Sequence, residues 1–304
     1  MPAAPMAAAA ILALTLRQAP NKSATQAPTP REVVAELLAA DSMFAARSAR
    51  TDLVDGLTAM FAPDVAMPTA TWLRGIDQVR AYLTSNPENA TARAEWTPIR
   101  AGVSADGRHG FTYGYQTITR STGARVHLKY VAYWVRGDGA WRVAAYKRAI
   151  RPDKAASTAL RTPALPARLV KFAGDSAARK TAAEIAEAEL SFSQSAQTGL
   201  GEAFRKNAAE DAAHIGGPDD AEFRFGPNAI AAGVGDNGTA SSTTITWQAD
   251  QVIAASSGDL GVSMGTITVR SAAANGKPQQ THQRPFFTVW RRSSPNAPWR
   301  FVIE

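Results

Sequence analysis

The sequence contains no cysteine, which excludes disulfide bonds, thiolate nucleophiles and cysteine-based metal sites. It also has no apolar run of the roughly 20 residues that a membrane-spanning helix needs. Histidine pairs spaced as HxH or HxxxH are missing, as are phosphate loops that end in GKS or GKT. The glycine-rich stretch 233–238 precedes a strand pattern and not a helix, so it does not indicate phosphate binding. No membrane span, metal or cofactor is predicted.

Composition and length indicate a globular protein of two domains. Hydrophobic residues make up 45% of the 304 residues and charged residues 19%. The net charge of +7 is uneven, because residues 151–180 hold seven basic and two acidic residues while residues 181–304 hold nine basic and thirteen acidic ones. Positive charge that is concentrated in a linker is not a nucleic-acid-binding face, so no nucleic-acid partner is predicted.

The first 30 residues are assigned to neither domain. Residues 6–16 form an apolar run of the length found in signal peptides, and residues 24–27 (ATQA) offer the small side chains that a signal peptidase needs. We therefore predict a signal peptide and a periplasmic or secreted protein. No lysine or arginine precedes the apolar run, so the alternative is a disordered tail on a cytoplasmic protein.

The second half of the chain repeats the framework of the first. At a shift of 151 positions, or a few more near the end, glycines and tryptophans recur as Gly75/Gly226, Trp96/Trp247, Gly107/Gly258, Gly110/Gly261, Gly114/Gly265, Trp134/Trp290 and Trp141/Trp299. A period this long indicates two domains of one fold, because solenoid repeats are only about 20–50 residues long. Most polar residues that suit a pocket do not recur. The second domain is therefore interpreted as a structural partner of the first.

Each half begins with helical periodicity and continues with alternating strands. In the first half, helices are predicted from residue 31, over residues 53–61 and from residue 75, with a short edge strand at 65–67 and four strands at 94–103, 110–119, 126–136 and 141–148. The second half has helices at 182–196 and 200–211 and strands at 243–254, 260–270, 282–292 and 298–303. The predicted class is α+β, with helices on one face of an antiparallel sheet of four to five strands. The predicted domains are residues 31–150 and 181–304, joined by a linker over residues 151–180.

Three segments of the first half resemble the nuclear-transport-factor-2-like, or SnoaL-like, superfamily. They are residues 57–65 (LTAMFAPDV), 75–79 (GIDQV) and 133–143 (YWVRGDGAWRV). The resemblance covers most of the first domain and, more weakly, the second. It implies two cone-shaped domains that pair through their sheets as an intrachain pseudo-dimer. It does not give a function, because this fold hosts isomerases, dehydratases, cyclases, hydrolases and binding modules.

The ketosteroid-isomerase branch of that superfamily implies a carboxylate base facing an oxyanion hole made of a tyrosine and a neutral aspartic acid. Aligned by hand, the tyrosine falls near Phe44, the base near Met67 and the aspartic acid near Val131 or Ala132. None of these side chains transfers a proton, so the isomerase mechanism is not predicted.

Other residues keep two functional hypotheses open. His127 and Lys129 share one face of a strand, and Asp41 on the first helix has a counterpart in Glu189. The predicted ligand-binding residues are Trp72, Tyr82, Tyr113, Tyr115, His127 and Lys129. The favoured hypothesis is an exported binding or interaction protein without catalysis, whose first domain holds a pocket for a small apolar molecule. The alternative is a lyase or isomerase for a small apolar molecule, with His127 as general base and Asp41 as its orienting partner.

Overall fold

The computed structural model describes residues 27–137, 139–235, 243–271 and 280–304. The predicted signal-peptide run lies outside the described residues, and so do residues 236–238 of the glycine-rich stretch. The helices are α1 Pro30–Ser48, α2 Leu53–Thr58, α3 Ile76–Thr84, α4 Asp175–Ser195, α5 Leu200–Asn207 and α6 Pro227–Val234. Helix α4 takes in residues 175–180, which the sequence pattern assigned to the linker. Within these described ranges, no helix combines the length and hydrophobicity needed to cross a membrane.

Twelve strands are described, and they form two sheets of the same order. The strands are β1 Phe61–Pro68, β2 Trp72–Arg74, β3 Arg93–Val103, β4 His109–Thr119, β5 Arg125–Arg136, β6 Trp141–Ile150, β7 Ala208–His214, β8 Arg224–Phe225, β9 Thr243–Ala254, β10 Leu260–Ser271, β11 Gln280–Arg291 and β12 Arg300–Ile303. Their order is β2-β1-β6-β5-β4-β3 in the first sheet and β8-β7-β12-β11-β10-β9 in the second. The α+β class and the tandem arrangement of two like domains are confirmed.

Two predicted helices end earlier than the sequence pattern indicated. Helix α2 ends at Thr58, and Met60 and Phe61 lead into β1 instead of completing the helix. Helix α5 ends at Asn207, and residues 208–211 open β7. Both strands pair in parallel with the last strand of their own domain, a long-range contact that local periodicity does not show. The short strands β2 and β8 pair with β1 and β7, so each sheet has six strands instead of the predicted four to five.

The helices cover one face of each sheet, and repeated glycines make room for them. A Cβ atom at Gly110 of β4 would overlap the side chain of Leu37 from α1. In the second domain, a Cβ atom at Gly261 of β10 would overlap Ile185 from α4. Leu37 and Ile185 are both fully buried. The repeat of these glycines thus records the same close packing of helix on strand in both domains.

Gly114 and Gly265 mark a bend in each sheet. The pairing of β3 with β4 and that of β9 with β10 both shift register beside these glycines. A Cβ atom at Gly114 would overlap the carbonyl oxygen of Thr97, and one at Gly265 would overlap that of Gln248. Bulges of this kind increase the local bend of a sheet. The bend curves each sheet around the space between it and the helices.

The linker between the domains runs along the edge of the first sheet. The backbone N–H of Ala164 donates a hydrogen bond to the carbonyl of Ala101 (2.9 Å), and its own carbonyl accepts one from Val103 (3.1 Å). Ala164 also forms a parallel bridge with Gly102. The linker therefore adds a short paired segment beside β3.

The sheet faces that point away from the helices contact each other. Phe223 of the second domain packs on the rings of Tyr113 and Tyr115, with centroid separations of 4.9 and 5.6 Å. The indole of Trp72 donates a hydrogen bond to the carbonyl oxygen of Gly265 (2.9 Å). One cluster of buried apolar side chains contains residues of both domains. The contact between the domains is thus partly a hydrophobic core.

Candidate functional site

A carboxylate is enclosed in the interior of the first domain. Asp41 of α1 is fully buried and accepts hydrogen bonds from Nε1 of Trp96 (2.5 Å) and from the hydroxyl of Tyr130 (2.9 Å). Burial raises the pKa of the Asp41 carboxyl, and the hydrogen bonds from Trp96, Thr112 and Tyr130 act in the opposite direction. Because its partners surround it, Asp41 joins the helix to the sheet and has no open side toward solvent.

The second domain encloses a matching carboxylate. Glu189 of α4 accepts hydrogen bonds from Nε1 of Trp247 (2.6 Å), from Nε1 of Trp290 (2.8 Å) and from the hydroxyl of Ser263. Burial raises the pKa of Glu189 as well. Asp41 and Glu189 therefore play the same structural part in their domains: each joins a helix to the sheet through buried hydrogen bonds. Among the described residues, no group of three or more histidine, aspartate or glutamate side chains is placed to hold a metal ion.

Ser263 lies in a run that matches a hydrolase motif. Residues 261–265 (GVSMG) have the GxSxG spacing of a nucleophile elbow. An elbow places its serine on a sharp turn between a strand and a helix. Ser263 instead lies within β10, is fully buried and donates its hydroxyl to Glu189. The motif here is part of the packing framework and not a nucleophile.

The first domain has a cavity of about 460 Å³ at the end of its cone. It lies between α3 and the ends of β4, β5 and β6, and much of its wall is apolar, with Leu53, Met67, Leu83, Ile118, Val126, Leu128 and Ile150. Its volume falls within the range of roughly 300–1,000 Å³ that is typical of small-molecule sites. This cavity is the candidate functional site.

Two arginines are the only charged residues among those that line the cavity in the described structure. Arg120 forms an ion pair with Glu88. Arg148 of β6 has neither an ion pair nor a hydrogen bond within the described residues, and its Nη1 atom is buried. Arg148 as a whole is half-buried, so its charge is partly shielded from water. The cavity wall therefore carries one positive charge that the protein itself does not compensate.

An amide lies next to the cavity floor. Gln116 of β4 is 1% exposed, and neither its Nε2 nor its Oε1 atom has a hydrogen-bond partner of normal geometry. Gln116 faces Leu128 across the β4–β5 pair and lies two residues from Ile118 on the same face, and both of these residues line the cavity. Buried polar groups in proteins are nearly always hydrogen-bonded. Burial raises the pKa of the Tyr146 hydroxyl, and Arg148 and Gln116 both act on that hydroxyl in the opposite direction, so the two side chains lie near one point, where the Nη1 atom of Arg148 has no hydrogen-bond partner.

Aromatic rings fill the interior of the second domain. Phe192 of α4 contacts four rings at centroid separations between 4.9 and 6.1 Å, those of Phe204, Trp247, Trp290 and Phe301. Phe301 pairs with Trp290 as Val143 pairs with Trp134 in the first domain. A ring in the second domain thus takes the place of a smaller side chain in the first.

The predicted ligand-binding residues divide between two places. Tyr82 lines the cavity. Trp72, Tyr113 and Tyr115 lie on the opposite face of the sheet, where they contact the second domain. Their aromatic rings pack between the domains. Whether any residue of the predicted set contacts a ligand stays a prediction.

Lys129 also points toward the second domain. Its Nζ atom donates to the carbonyl oxygens of Asp220 (2.8 Å), Glu222 (3.4 Å) and Gly217 (3.5 Å), which lie in one loop. Burial lowers the pKa of Lys129 to about 8. The lysine therefore serves as a hydrogen-bond donor to a loop of the other domain.

The structure does not bring His127 and Asp41 together. Tyr130, which bonds Asp41, lies three residues from His127 on β5, and successive residues of a strand point to opposite faces. The pairing of β4 with β5 is regular over this stretch, so the alternation is not interrupted. Nε2 of His127 lies 3.1 Å from Oδ1 of Asp153, and Nδ1 lies 3.3 Å from the hydroxyl of Thr117. His127 thus has partners of its own on the far side of the sheet.

Sequence patterns did not single out Gln116, Arg120 or Arg148. Alternation along a strand shows which residues share a face, so Gln116 could be grouped with Ile118. It does not show which face the helices cover, because tertiary packing decides that. The sequence therefore shows that Gln116 and Ile118 share a face, but not that this face adjoins a cavity.

No family model matches the chain, and no curated protein matches it. Among solved structures, it is similar to a ketosteroid isomerase-like protein from Erwinia carotovora atroseptica (19% identity, 39% of this chain and 96% of that chain, TM-score 0.33). It is also similar to an NTF-2 like protein of unknown function from Shewanella oneidensis (12%, 39% and 98%, TM-score 0.30). A third is an NTF2-like superfamily protein from Salmonella enterica (13%, 40% and 94%, TM-score 0.32). Each match spans about one domain, and the tandem helix-on-sheet architecture described above is the one that the sequence resemblance implies.

Proposed function

We propose that this protein binds a small molecule in the cavity of its first domain, and that the second domain is its structural partner in an intrachain pseudo-dimer. The observation that carries this proposal is the cavity of about 460 Å³, whose wall combines apolar side chains with polar ones and includes Arg148, whose buried Nη1 atom has no hydrogen-bond partner. An apolar cavity with a few converging polar groups is the usual form of a ligand site.

The division of roles between the domains is supported by how each interior is filled. The rings around Phe192 occupy the interior of the second domain. The second domain also supplies Phe223 and the 217–222 loop, which contact the outer face of the first sheet. These contacts lie on the face opposite the cavity. Pairing of the domains therefore leaves the cavity accessible.

The test fills the cavity from one of its walls. Val126 of β5 lines the cavity, and Val126→Trp replaces its small side chain by an indole that occupies the space. The matched control is His282→Trp, because His282 takes the equivalent place on β11 of the second domain and is exposed. Both variants are compared with the original protein for binding of 2-naphthoate and 2-naphthamide, by isothermal calorimetry and native mass spectrometry.

Binding of either probe with one-to-one stoichiometry, lost in Val126→Trp and kept in His282→Trp, supports the proposal. Binding that survives in Val126→Trp places the ligand elsewhere and overturns it. The absence of binding by both probes also counts against the cavity as a general small-molecule site.

We also propose that the protein is exported, on the basis of the apolar run at residues 6–16. Cell fractionation compares the full chain with a chain that lacks residues 1–26. The proposal expects the full chain outside the cytoplasm and the shortened chain inside it. The same compartment for both chains would contradict it.

A further inference from the structure

We infer that the ligand of the first-domain cavity is an organic carboxylate with an apolar body, and that Arg148 holds the carboxylate. This inference rests on the proposed function and adds the chemical class of the ligand. It follows from the charge of the cavity wall and from the buried Nη1 atom of Arg148, which has no hydrogen-bond partner.

The cavity wall carries positive charge. The residues that line the cavity include two arginines and no carboxylate. Glu88 pairs with Arg120, so that arginine already has a carboxylate partner. Asp41 lies deeper, where Trp96 and Tyr130 bond both of its oxygens. Arg148 therefore remains the one lining cation in the described structure that has no carboxylate partner.

Arg148 and Gln116 lie on the sheet face that the cavity adjoins. Arg148 of β6 faces Tyr130 across the strand pair, and Tyr130 in turn faces Gly114 on β4. Gln116 lies two residues from Gly114 and shares its face. The amide of Gln116 on β4 and the buried Nη1 atom of Arg148 on β6 thus lie on one face of the sheet, on either side of β5. A guanidinium offers paired N–H donors that fit the two oxygens of a carboxylate, and the amide of Gln116 adds a further donor.

One part of the wall is apolar, beside the polar residues Thr69, Ser85, Asn86 and Asn89. Leu83, Ile118, Val126 and Leu128 are apolar and surround the same space. They favour a ligand whose remaining surface is apolar, because such surface gains free energy when it leaves water. An inorganic anion would satisfy Arg148 and leave this apolar wall uncovered. A charged head on an apolar body satisfies both parts.

The experiment compares two probes that share one ring system and differ in the charge and hydrogen-bond donors of the head group. 2-Naphthoate carries a carboxylate, and 2-naphthamide has the same ring system with a neutral amide. The original protein is expected to bind the acid about tenfold to a hundredfold more tightly than the amide at pH 7, as for a hydrogen-bonded charge pair. Arg148→Gln is expected to abolish this preference, and Arg148→Lys to keep part of it.

The matched control is Arg125→Gln. Arg125 is an exposed arginine on β5 that points to the other face from Val126, so its loss removes the same charge from outside the cavity. Circular dichroism and thermal unfolding establish that each variant is folded. An acid preference that disappears in Arg148→Gln and persists in Arg125→Gln supports the inference. Val126→Trp must abolish binding of both probes.

Two results separate the inference from the function on which it rests. If both probes bind with equal affinity and Val126→Trp abolishes that binding, the inference of a carboxylate ligand is wrong, but the cavity remains the binding site. An acid preference that Arg148→Gln does not change assigns the charge recognition to another residue and overturns the role of Arg148. If Val126→Trp does not change binding, the cavity is not the binding site and the proposed function is wrong.

Discussion

Nε1 of Trp96 donates a 2.5 Å hydrogen bond to Oδ1 of Asp41, and this bond ties strand β3 to helix α1 inside the first domain. The same relationship recurs 151 positions later at the tryptophan, where Nε1 of Trp247 donates to Glu189 over 2.6 Å. Both carboxylates are fully buried. A buried acid that is bonded on both oxygens fixes the angle of a helix on its sheet more narrowly than apolar packing alone.

Removing the Asp41 carboxylate is expected to destabilise the first domain. Asp41→Ala leaves the N–H of Trp96 and the hydroxyl of Tyr130 buried without an acceptor, which costs about 2–4 kcal/mol of unfolding free energy. Asp41→Asn keeps one acceptor and is expected to cost less. Urea unfolding followed by far-UV circular dichroism measures both. Asp64→Ala, at an exposed position of β1, is the control and should change little. An equal effect of Asp41→Ala and Asp64→Ala would refute the role of the buried bonds.

The same carboxyl is expected to make stability depend on pH. Burial raises the pKa of Asp41 above its ordinary value of 3.8, so in the window above that value the folded protein retains a proton that the unfolded chain has released. The folded state thus binds more protons than the unfolded state, and the free energy of unfolding falls as pH rises through this window. Asp41→Asn has no group to titrate, so its stability should fall less between pH 4 and pH 7. Unfolding curves at several pH values check this, and parallel curves for both proteins would contradict it.

The contact between the sheets is expected to depend on Phe223. It is 4% exposed and packs on Tyr113 and Tyr115, so Phe223→Ala removes a ring from the core between the domains and costs about 3–5 kcal/mol. Hydrogen exchange should increase in β4 and β5 of the first domain, although the substitution lies in the second. The control is Phe172→Ala, because Phe172 lies in the linker and is 45% exposed. Exchange that rises only around residue 223 itself would argue against a shared core.

The bend in the first sheet is expected to require a glycine at position 114. Gly114→Ala places a Cβ atom against the Thr97 carbonyl oxygen, and backbone cannot move aside as a flexible side chain does. We expect a loss of about 2–3 kcal/mol in unfolding free energy. Gly137→Ala is the control, because Gly137 has open space around the position of its Cβ atom. Thermal unfolding that ranks Gly137→Ala as the more damaging change would show that the bend does not depend on Gly114.

The order of elements was predictable from the sequence because the long strands alternate strongly. Strand β4 was expected at residues 110–119 and lies at His109–Thr119, and the glycine and tryptophan repeat correctly indicated two like domains. Strand β1 was predicted only at residues 65–67, and β7 was not predicted at all. Met60 and Phe61 fit a helical spacing as well as a strand, and only the distant partner strand β6 decides between them.

The site was harder to predict than the fold for a related reason. Tyr113, Tyr115 and Lys129 do share one face of the sheet, as alternation indicates, yet that face meets the second domain. The cavity lies on the other face, with Arg148 and Gln116 nearby. Which face is covered by helices and which by a second domain depends on packing between distant parts of the chain. No local pattern contains that information.

The linker has a consequence for how the protein responds to cleavage. Ala164 is covalently continuous with the second domain but hydrogen-bonded to the edge of the first. A protease that cuts between residues 154 and 158 would therefore leave the second fragment with an arm that completes the sheet of the first fragment. The two fragments would then form a non-covalent complex, in which backbone of the second fragment hydrogen-bonds to strand β3 of the first. The two fragments are expected to elute together on size-exclusion chromatography until a denaturant separates them.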